Sequence, residues 1–570
     1  MQTNANPKTP GPLAAAQAAI TADTATADPA IWITRVPDAE ILEQARRLED
    51  EGPRGRPLWG LTAVIKDNID VAGLKTTAAC PEFSHMPAVS AEAVRRLVEA
   101  GALILGKVNL DQFATGLVGV RSPYGVPRNV FNPAYVPGGS SSGSAVAVAA
   151  GICDFALGTD TAGSGRVPAM FGNIVGLKPT VGSVSAAGMV PACRSVDTIS
   201  IFARSVDAAL AVQRVIAFYD RTDPYSRPAP AGFLRRAALP PAIRVAVAEV
   251  GALCDPAVTA AYQRTAALFT TETVDLSPFL AVARLLYDGP WVAERTAALR
   301  AIITDRPEIL HPVTRAIVAG GLTRNTVDAF DAFHQLAQAR RIAAELFTRC
   351  EALIVPTAPF TPTLAELESD PIGPNSRLGT FTNFVNLCDL TAIAVPAGFG
   401  PDGLPAGVTV IGPAWSEGRL AAIADHIHRQ TAEALPPPRI DPVQADETPL
   451  FCIGAHMAGL PLNPQVTSLG GRFLRTARTQ PVYRLHAMGN RPGMVRVASG
   501  VSVVGEVWAL PTASIGALLA QVPAPLGFGQ ALLEDGPCLG FVAEAHGVEG
   551  TTDISSYGGW RAWLAREGNA

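Results

Sequence analysis

Residues 137–151, PGGSSSGSAVAVAAG, join a turn rich in glycine and serine to an uninterrupted run of alanine and valine. Such a stretch is open to three interpretations: a flexible linker, a phosphate-binding loop or the polar end of a catalytic site. A linker would lie between domains, whereas this stretch is flanked by a strand-like segment and a helical one. A phosphate-binding loop of the GxxxxGK[ST] type needs a lysine, and none follows within the helix. The pattern therefore favours a helix N-terminus whose hydroxyl and backbone N–H groups serve a nearby nucleophile.

The chain on both sides of this stretch alternates between strand-like and helical patterns. Residues 58–73 read as a strand that ends in a polar turn, and residues 90–109 read as a helix, a stop at Gly101 and a strand. After the serines, a second helix leads into the strand-like residues 153–161. Such alternation predicts the α/β class, with a mixed central sheet covered by helices on both faces. Residues 206–350 are predicted to be rich in helices, and more strands are predicted at 352–359, 391–398 and 406–413.

The composition of the chain changes near residue 432. Residues 431–449 contain a triple proline and several acidic residues, which is typical of a domain boundary. Beyond this segment, short strand-like runs are separated by turn residues. The sequence therefore predicts a first domain of residues 1–432, a linker of residues 433–447 and a smaller α+β domain of residues 448–570, for which a barrel-like unit is the alternative.

The overall composition limits the classes of partner. The 570-residue chain is 48% apolar and 17% charged, which is typical of a globular protein, and its net charge of -5 indicates no nucleic-acid partner. The eight cysteines form no CxxC pair, which argues against a zinc ribbon or a redox dithiol. The first twenty residues lack an apolar segment for export, and Asp154 interrupts the longest apolar run. We expect a cytoplasmic protein that has no membrane partner and no metal.

A second glycine- and serine-rich turn, residues 158–169, follows the strand-like segment after the serine run. It reads GTDTAGSGRVPA and places Ser164 between two glycines. Small residues there allow backbone N–H groups to converge on one point, as an oxyanion hole requires. A nucleophilic serine needs a base, and no histidine lies near either motif. Lys66, at the end of the apolar run AVIKDN, is the candidate, because burial lowers the pKa of a lysine and allows it to act as a neutral base.

Together the three motifs resemble the amidase signature family. They are VIKDN at 64–68, GGSSSGSA at 138–145 and GTDTAGSGR at 158–166, and the resemblance covers roughly residues 30–430. It implies an α/β/α sandwich that carries a Ser–cis-Ser–Lys triad, with Ser164 as the nucleophile, Ser140 as the bridging serine after a cis peptide bond and Lys66 as the base. The resemblance assigns the oxyanion hole to Thr161, Ala162, Gly163 and Ser164.

Three other residues within these motifs are expected to play supporting roles. Ser141 and Ser142 are interpreted as structural support for the serine turn. Arg166, two residues after the predicted nucleophile, is expected to pair with Asp160 and hold the loop rather than touch substrate.

Within the family, the chain is similar to the allophanate hydrolase subfamily. It carries Ala162 where a second glycine is commoner, a domain beyond residue 430, and the stretch LYDGPWVAER at 286–295. The resemblance implies that Tyr287 and Arg295 bind the substrate's carboxylate, which suits the bidentate fork of a guanidinium. On one continuous helix the two residues would stand about 12 Å apart. The pair Gly289–Pro290 predicts the break that brings them to one small ligand.

The tail, from about residue 448, resembles the allophanate hydrolase C-terminal domain, which is itself similar to the gamma-glutamyl cyclotransferase-like fold. Its segment LFCIGAHMAG at 450–459 makes His456 the candidate for assisting decarboxylation of the first product, and a purely structural histidine is the alternative. His486 and Glu506 are weaker candidates.

The resemblance implies hydrolysis of allophanate (urea-1-carboxylate) to ammonia and carbon dioxide by a homodimer without metal or organic cofactor. The alternatives are an amidase-signature hydrolase that acts on biuret or another small amide, and the subunit of a tRNA amidotransferase. An inactive scaffold of the same fold would be expected to lose Lys66, Ser140 or Ser164, and all three are present.

Overall fold

The computed structural model describes residues 11–432 and 434–567, and within them the chain forms two compact units. The first unit comprises the chain up to residue 229, residues 246–347 and residues 352–437. The second comprises residues 230–245, residues 348–351 and the chain from residue 438 onward. Residues 1–10, 433 and 568–570 of the predicted domains and linker lie outside the described residues. The domain boundaries drawn from the sequence stay a prediction.

A mixed sheet of eleven strands dominates the described part of the chain, with the order β1-β3-β2-β4-β6-β5-β10-β11-β9-β7-β8. Strand β2 runs parallel to its neighbours β3 and β4, whereas β4 pairs antiparallel with β6. The predicted α/β class with a mixed central sheet is confirmed. The strands are β1 (Trp32–Arg35), β2 (Thr62–Lys66), β3 (Leu103–Val108), β4 (Phe155–Asp160), β5 (Val175–Lys178), β6 (Thr198–Ala203), β7 (Arg244–Val247), β8 (Thr270–Thr273), β9 (Ala352–Pro356), β10 (Leu390–Phe399) and β11 (Pro405–Pro413).

Helices alternate with these strands and supply much of the apolar core, as the periodicity of the sequence predicts. Between residues 11 and 432 they are α1 (Pro12–Thr26), α2 (Asp38–Glu51), α3 (Glu92–Glu99), α4 (Ser142–Ala149), α5 (Val167–Phe171), α6 (Val206–Ile216), α7 (Pro256–Ala266), α8 (Ser277–Arg284), α9 (Trp291–Ala298), α10 (Arg300–Asp305), α11 (Pro312–Gly320), α12 (Thr326–Leu346), α13 (Leu364–Ser369), α14 (Gly373–Leu378), α15 (Asn383–Leu387) and α16 (Glu417–Arg429).

Helix α4 lies in the core of the first unit, where small residues allow a close approach. A Cβ added to Gly143 would stand 2.6 Å from both the backbone nitrogen of Asn109 and the carbonyl oxygen of Ile31. All but the last residue of the helix are buried, including its serines at 142 and 144. The alanine- and valine-rich run therefore packs inside the protein, and its serine-rich N-terminus is held beside the end of β2.

The second unit has a core and sheets of its own. Its larger sheet has the order β13-β16-β12-β18-β17, and its smaller sheet has the order β15-β14-β19. Trp508, Phe451 and Tyr483 are among its buried aromatic residues. The predicted small α+β domain is confirmed. Its elements are β12 (Glu447–Cys452), α17 (Asn463–Thr467), β13 (Arg472–Arg478), β14 (Tyr483–Met488), β15 (Arg491–Arg496), β16 (Val504–Pro511), α18 (Ile515–Leu519), β17 (Leu526–Leu533), β18 (Gly536–Ala543), β19 (Thr552–Asp553) and α19 (Trp560–Glu567).

Candidate active site

Lys66 is the last residue of β2, and its side chain is fully buried. Its Nζ lies 2.8 Å from the Oγ of Ser140, 2.9 Å from the Oγ of Ser141 and 2.7 Å from the Oγ1 of Thr159. All three partners are hydroxyl groups, which can accept a hydrogen bond from an amine and also donate one to it. The surroundings therefore suit both the charged and the neutral amine.

The protonation of Lys66 is governed by its burial. Removal from water lowers the pKa of its ammonium group to about 7, although the carboxylates of Asp111, Asp160 and Asp197 oppose the shift. Desolvation disfavours the charged form, and no carboxylate lies within hydrogen-bonding distance to restore it. This lowering brings the neutral amine, which can accept a proton, within reach near neutral pH.

Ser140 lies directly before α4, and the peptide bond between Gly139 and Ser140 is cis. Its carbonyl oxygen accepts a hydrogen bond of 3.0 Å from the backbone N–H of Asp111. Ser141, its neighbour, donates to the carbonyl oxygen of Thr159 at 3.2 Å and so links the serine turn to strand β4. The turn is thereby fixed between the ends of β2 and β4.

Ser164 follows β4, in the second glycine-rich turn, and is buried. Its Oγ donates to the carbonyl oxygen of Gly116 over 3.4 Å, a long contact. The structure has no hydrogen bond between Ser164 and Ser140, both of which are described. It therefore joins Lys66 to Ser140 directly and leaves the hydroxyl of Ser164 weakly held.

The backbone N–H groups of the turn divide into two sets. Those of Gly163 and Gly165 donate to the carboxylate of Asp160, at 2.9 and 3.0 Å. Those of Thr161, Ala162 and Ser164 donate to no acceptor among the described residues. Three of the four positions predicted for the oxyanion hole can thus receive an oxyanion, whereas the N–H of Gly163 is engaged within the loop.

Asp160 and Arg166 form a buried bidentate ion pair, in which Nε and Nη2 of the arginine each lie 2.9 Å from a carboxylate oxygen. Burial alone would raise the pKa of Asp160, but the guanidinium lowers it and keeps the carboxylate charged. The Nη2 of Arg166 also donates to the Oδ1 of Asn386, at 2.9 Å. The expected pairing of Arg166 with Asp160 is confirmed.

Tyr287 and Arg295 come together at the break between α8 and α9. The guanidinium carbon of Arg295 lies 5.6 Å from the centre of the Tyr287 ring. Only 1% of Arg295 is exposed, and its Nη1 donates to the Oγ1 of Thr115 at 2.8 Å. Its Nε and Nη2 are buried without a hydrogen-bond partner. An unpaired buried guanidinium edge is costly, so this edge is suited to an anionic ligand.

Two aspartates outside the three motifs also shape the site. Asp111 accepts the backbone N–H of Gly119 at 2.9 Å and that of Arg121 at 3.0 Å, which orders the loop that contains Gly116. Asp197 accepts the hydroxyl hydrogen of Thr161, with 2.5 Å between the oxygens, and burial raises its pKa to about 6. Both lie far from the motifs in sequence. The signal that could have revealed Asp197 is a single acidic residue next to the apolar run TISIFA.

In the second unit, His456 lies in the loop after β12. Its ring stacks on that of Phe541 with 4.6 Å between centroids, and its Nε2 lies 2.9 Å from the Oε1 of Gln465. Burial lowers the pKa of His456, and the hydrogen bond to Gln465 opposes the shift. The ring is therefore held in place and favours the neutral form at pH 7.

The two weaker candidates of the second unit have structural contacts. Glu506 is buried and accepts hydrogen bonds from the backbone of Ala458, from the indole of Trp508 and from Arg561. It thereby fixes the loop that carries His456. The Nδ1 of His486 lies 3.2 Å from the hydroxyl oxygen of Thr551, on the smaller sheet.

Neither a metal site nor a membrane span is found in the described part of the chain. No group of three or more histidine, cysteine, aspartate or glutamate side chains there could hold a metal ion. No helix within residues 11–432 and 434–567 is long and apolar enough to cross a membrane. All eight cysteines are free thiols, and seven of them are buried.

Comparison with known sequences finds two family profiles. The profile described as Amidase matches residues 17–421, and the profile described as Allophanate hydrolase C-terminal domain matches residues 448–565. The urea amidolyase of Saccharomyces cerevisiae (strain ATCC 204508 / S288c) is 39% identical over 570 residues, which cover 94% of this chain and 31% of the amidolyase. The chain thus spans about a third of the length of that relative.

Two further proteins differ in how much of the chain they match. A glutamyl-tRNA(Gln) amidotransferase subunit of Synechococcus sp. (strain RCC307) is 36% identical over 437 residues, which cover 70% of this chain and 88% of that protein. The crystal structure of Kluyveromyces lactis allophanate hydrolase is 36% identical, with a TM-score of 0.76 and coverage of 98% of this chain and 97% of that one. The similarity to the Kluyveromyces lactis allophanate hydrolase therefore includes the tail of the chain.

Proposed function

The chain belongs to the amidase family of amidohydrolases and carries an allophanate hydrolase C-terminal domain, and on that premise we propose that it hydrolyses allophanate to ammonia and carbon dioxide. The observation that supports this substrate most directly is the buried, unpaired edge of Arg295 beside Tyr287. A neutral amide would leave that guanidinium edge without a counter-charge, whereas a carboxylate next to the reacting amide satisfies it.

The chemistry that we propose begins with a proton transfer. Neutral Lys66 takes a proton from Ser140 while Ser140 takes one from Ser164, and the Oγ of Ser164 attacks the terminal amide carbonyl carbon. This relay needs a rotation of Ser164 away from the carbonyl oxygen of Gly116, and the long 3.4 Å contact between them offers little resistance.

The oxyanion that forms is stabilised by free backbone N–H groups. Those of Thr161, Ala162 and Ser164 are the donors that the loop leaves unused. Asp160 fixes the loop from behind through the N–H groups of Gly163 and Gly165.

The second half of the reaction reverses the proton flow. The protonated Lys66 returns its proton through Ser140 to the amide nitrogen, the C–N bond breaks and ammonia leaves. Water then attacks the acyl-enzyme with Lys66 again as base, and Ser164 is restored. The product carries two carboxylates on one nitrogen.

We further propose that the second unit assists the loss of carbon dioxide from this product. Decarboxylation transfers a proton to the nitrogen as the C–N bond to the departing carboxylate breaks. His456 supports this role because its ring is fixed by Phe541 and Gln465, and the neutral imidazole that burial favours can relay a proton from solvent to the nitrogen.

Further predictions from the sequence remain part of the proposal. We take residues 433–447 to be the linker between the domains 1–432 and 448–570. Free thiols at all eight cysteines suit the reducing cytoplasm that we propose as its location. We also propose that the enzyme acts as a homodimer in urea or triazine nitrogen use.

Parallel measurement of ammonia release from allophanate, biuret, malonamide and urea tests the substrate. We expect kcat/KM for allophanate to exceed that for the three neutral amides, because allophanate alone carries a carboxylate for Arg295. Equal or faster turnover of biuret would instead support the alternative, a hydrolase of neutral amides.

A further inference from the structure

Thr115 is fully buried between two arginines, and each arginine binds a different oxygen of this residue. The Nη1 of Arg121 donates to its carbonyl oxygen at 2.9 Å, and the Nη1 of Arg295 donates to its hydroxyl oxygen at 2.8 Å. Arg121 is itself anchored, because its Nη2 donates to the carbonyl oxygen of Pro371 at 2.8 Å. Thr115 therefore connects the guanidinium that we assign to the substrate with a second guanidinium that only holds the protein.

The hydroxyl group of Thr115 has a single hydrogen, and the structure shows where it is used. The Oγ1 donates this hydrogen to the carbonyl oxygen of Phe113 at 3.2 Å. The lone pairs of the oxygen remain for Arg295, whose N–H groups can only donate. The hydroxyl and the guanidinium therefore fit together in one orientation.

The backbone before Thr115 has a conformation that few residues adopt. Phe113 and Ala114 both have a φ of 52°, in the left-handed region, and the N–H of Thr115 donates to the carbonyl oxygen of Gln112 at 3.1 Å. Residues other than glycine keep such a conformation where the surrounding structure enforces it. The loop therefore holds the hydroxyl of Thr115 in place before any ligand binds.

The contact with Thr115 determines which edge of Arg295 a ligand meets. The guanidinium is planar, so a hydrogen bond at Nη1 fixes the direction of the opposite edge, which Nε and Nη2 form. Both of these atoms are buried without a hydrogen-bond partner. The other acceptor of Nη1, the carbonyl oxygen of Ala114, lies farther away, at 3.3 Å. Without the hydroxyl the guanidinium would be free to turn, and the cost of ordering it would oppose the binding of a carboxylate.

We propose that Thr115 is a positioning residue for substrates that carry a carboxylate, because its hydroxyl holds Arg295 with the edge of Nε and Nη2 towards the ligand. The inference rests on the proposed function, in which Arg295 binds the carboxylate of the substrate. It adds that selectivity for the anion depends on a residue that acts through the arginine. A neutral amide gains no ion pair from that edge, so its binding should not depend on the hydroxyl.

Binding of malonamate and malonamide tests this role. The two molecules are similar in size and share one amide, but malonamate carries a carboxylate where malonamide carries a second amide. Calorimetry with the Ser164→Ala protein, which should not hydrolyse either molecule, gives both Kd values, and malonamate should bind more tightly. Adding Thr115→Val should raise the Kd of malonamate about tenfold and that of malonamide less than about twofold, because only the anion needs the ordered guanidinium.

Two further changes at the same position show whether the hydroxyl is responsible. Thr115→Ser keeps the hydroxyl and should hold the Kd of malonamate within about threefold of its original value. Thr115→Ala removes the hydroxyl without adding a methyl group and should act like Thr115→Val. The matched control is Thr314→Val, which removes a buried hydroxyl that has no hydrogen-bond partner and should leave both Kd values unaltered.

A double variant separates action through the arginine from a general effect on the loop. If Thr115 acts through Arg295, the pair Thr115→Val, Arg295→Ala should bind malonamate no more weakly than Arg295→Ala alone. Circular dichroism of each variant establishes that it folds.

Three results would overturn the inference: an equal loss of affinity for both molecules in Thr115→Val, additive losses in the double variant, or malonamate that binds no more tightly than malonamide before Thr115 is changed. The proposed function has a separate test in the turnover of allophanate by the wild type. A protein that binds malonamate as expected but releases no ammonia from allophanate would contradict the function and leave the role of Thr115 intact.

Discussion

Lys66 and Lys107 lie on the paired strands β2 and β3, and both are fully buried, yet their neighbours differ in kind. The Nζ of Lys66 has three hydroxyl partners, whereas the Nζ of Lys107 forms an ion pair of 3.0 Å with Asp67. Burial lowers the pKa of both, and at Lys107 Asp67 opposes that shift directly. Burial therefore creates a possible base at Lys66, where the partners are hydroxyl groups, and not at Lys107, where a carboxylate holds the proton.

The largest effect is expected at the proposed nucleophile. Ser164→Ala should lower kcat for ammonia release by about 10⁴-fold or more, because no other group can form the acyl-enzyme. The matched control is Ser142→Ala, which removes a hydroxyl from the same region but one whose 3.5 Å contact is with the carbonyl oxygen of Asn109. Turnover near the wild-type rate in a folded Ser164→Ala protein would end the assignment.

Replacing each lysine by methionine tests whether the two have different roles. Lys66→Met should lower kcat by at least about 10³-fold while the protein stays folded, because the change removes the base and leaves only hydroxyl groups behind. Lys107→Met should mainly destabilise the fold, by about 3–5 kcal/mol, because Asp67 would remain buried without its partner.

Both variants are measured by ammonia release and by urea-induced unfolding. The two lysines would have the same role if both variants lost stability alone, or if both lost activity at unaltered stability. Either result would contradict the contrast.

Removal of Arg295 tests whether this residue selects a substrate that carries a carboxylate. Arg295→Ala should lower kcat/KM for allophanate by about 10- to 150-fold, since a charge-assisted pair contributes about 1.5–3 kcal/mol. A neutral amide such as biuret should lose much less. A steady-state comparison of both substrates with wild type and variant measures the difference. An equal loss on both would show that the arginine supports only the fold between α8 and α9.

The smallest effect is expected at His456. His456→Ala should leave the release of the first ammonia, the one cleaved from the terminal amide, near the wild-type rate, because that chemistry takes place at Ser164, whereas the second ammonia is set free only with carbon dioxide. Carbon dioxide release should lag behind, as the carboxylated intermediate then decays without assistance. Recording both products on one time axis measures the lag. Simultaneous release would mean that His456 only packs on Phe541.

Much of the fold and of the candidate active site can be predicted from the sequence. The three motifs predict the strands and turns that carry Lys66, Ser140 and Ser164, and the α/β class that they imply is confirmed. The break at Gly289–Pro290 is also present, between α8 and α9. These features are predictable because each depends on residues next to one another in the chain.

Other features depend on residues that meet only in the folded chain. Asp197 reaches Thr161 from 36 positions away, and Asn386 reaches Arg166 from 220 positions away. The ion pair between Lys107 and Asp67 has no local pattern either. Strand β8 (Thr270–Thr273) is entirely polar and mostly exposed, so no apolar periodicity indicates it. Tertiary contacts decide all of these, and one sequence does not show them.

The central claim, that Lys66 acts as a neutral base, is tested most directly by the pH dependence of kcat/KM for ammonia release, with an enzyme-free blank at each pH. Because the pKa of Lys66 is lowered to about 7, the rate should fall about tenfold per unit below that pH and level off above it. Asp197, with its pKa raised to about 6, also titrates in this range, so Asp197→Asn serves as the control. The acid limb should persist in this variant with its midpoint moved to lower pH, because a carboxylate that opposes the lowering of the Lys66 pKa is removed. A profile that stays flat through this range, or whose acid limb disappears in Asp197→Asn, would contradict the role of Lys66.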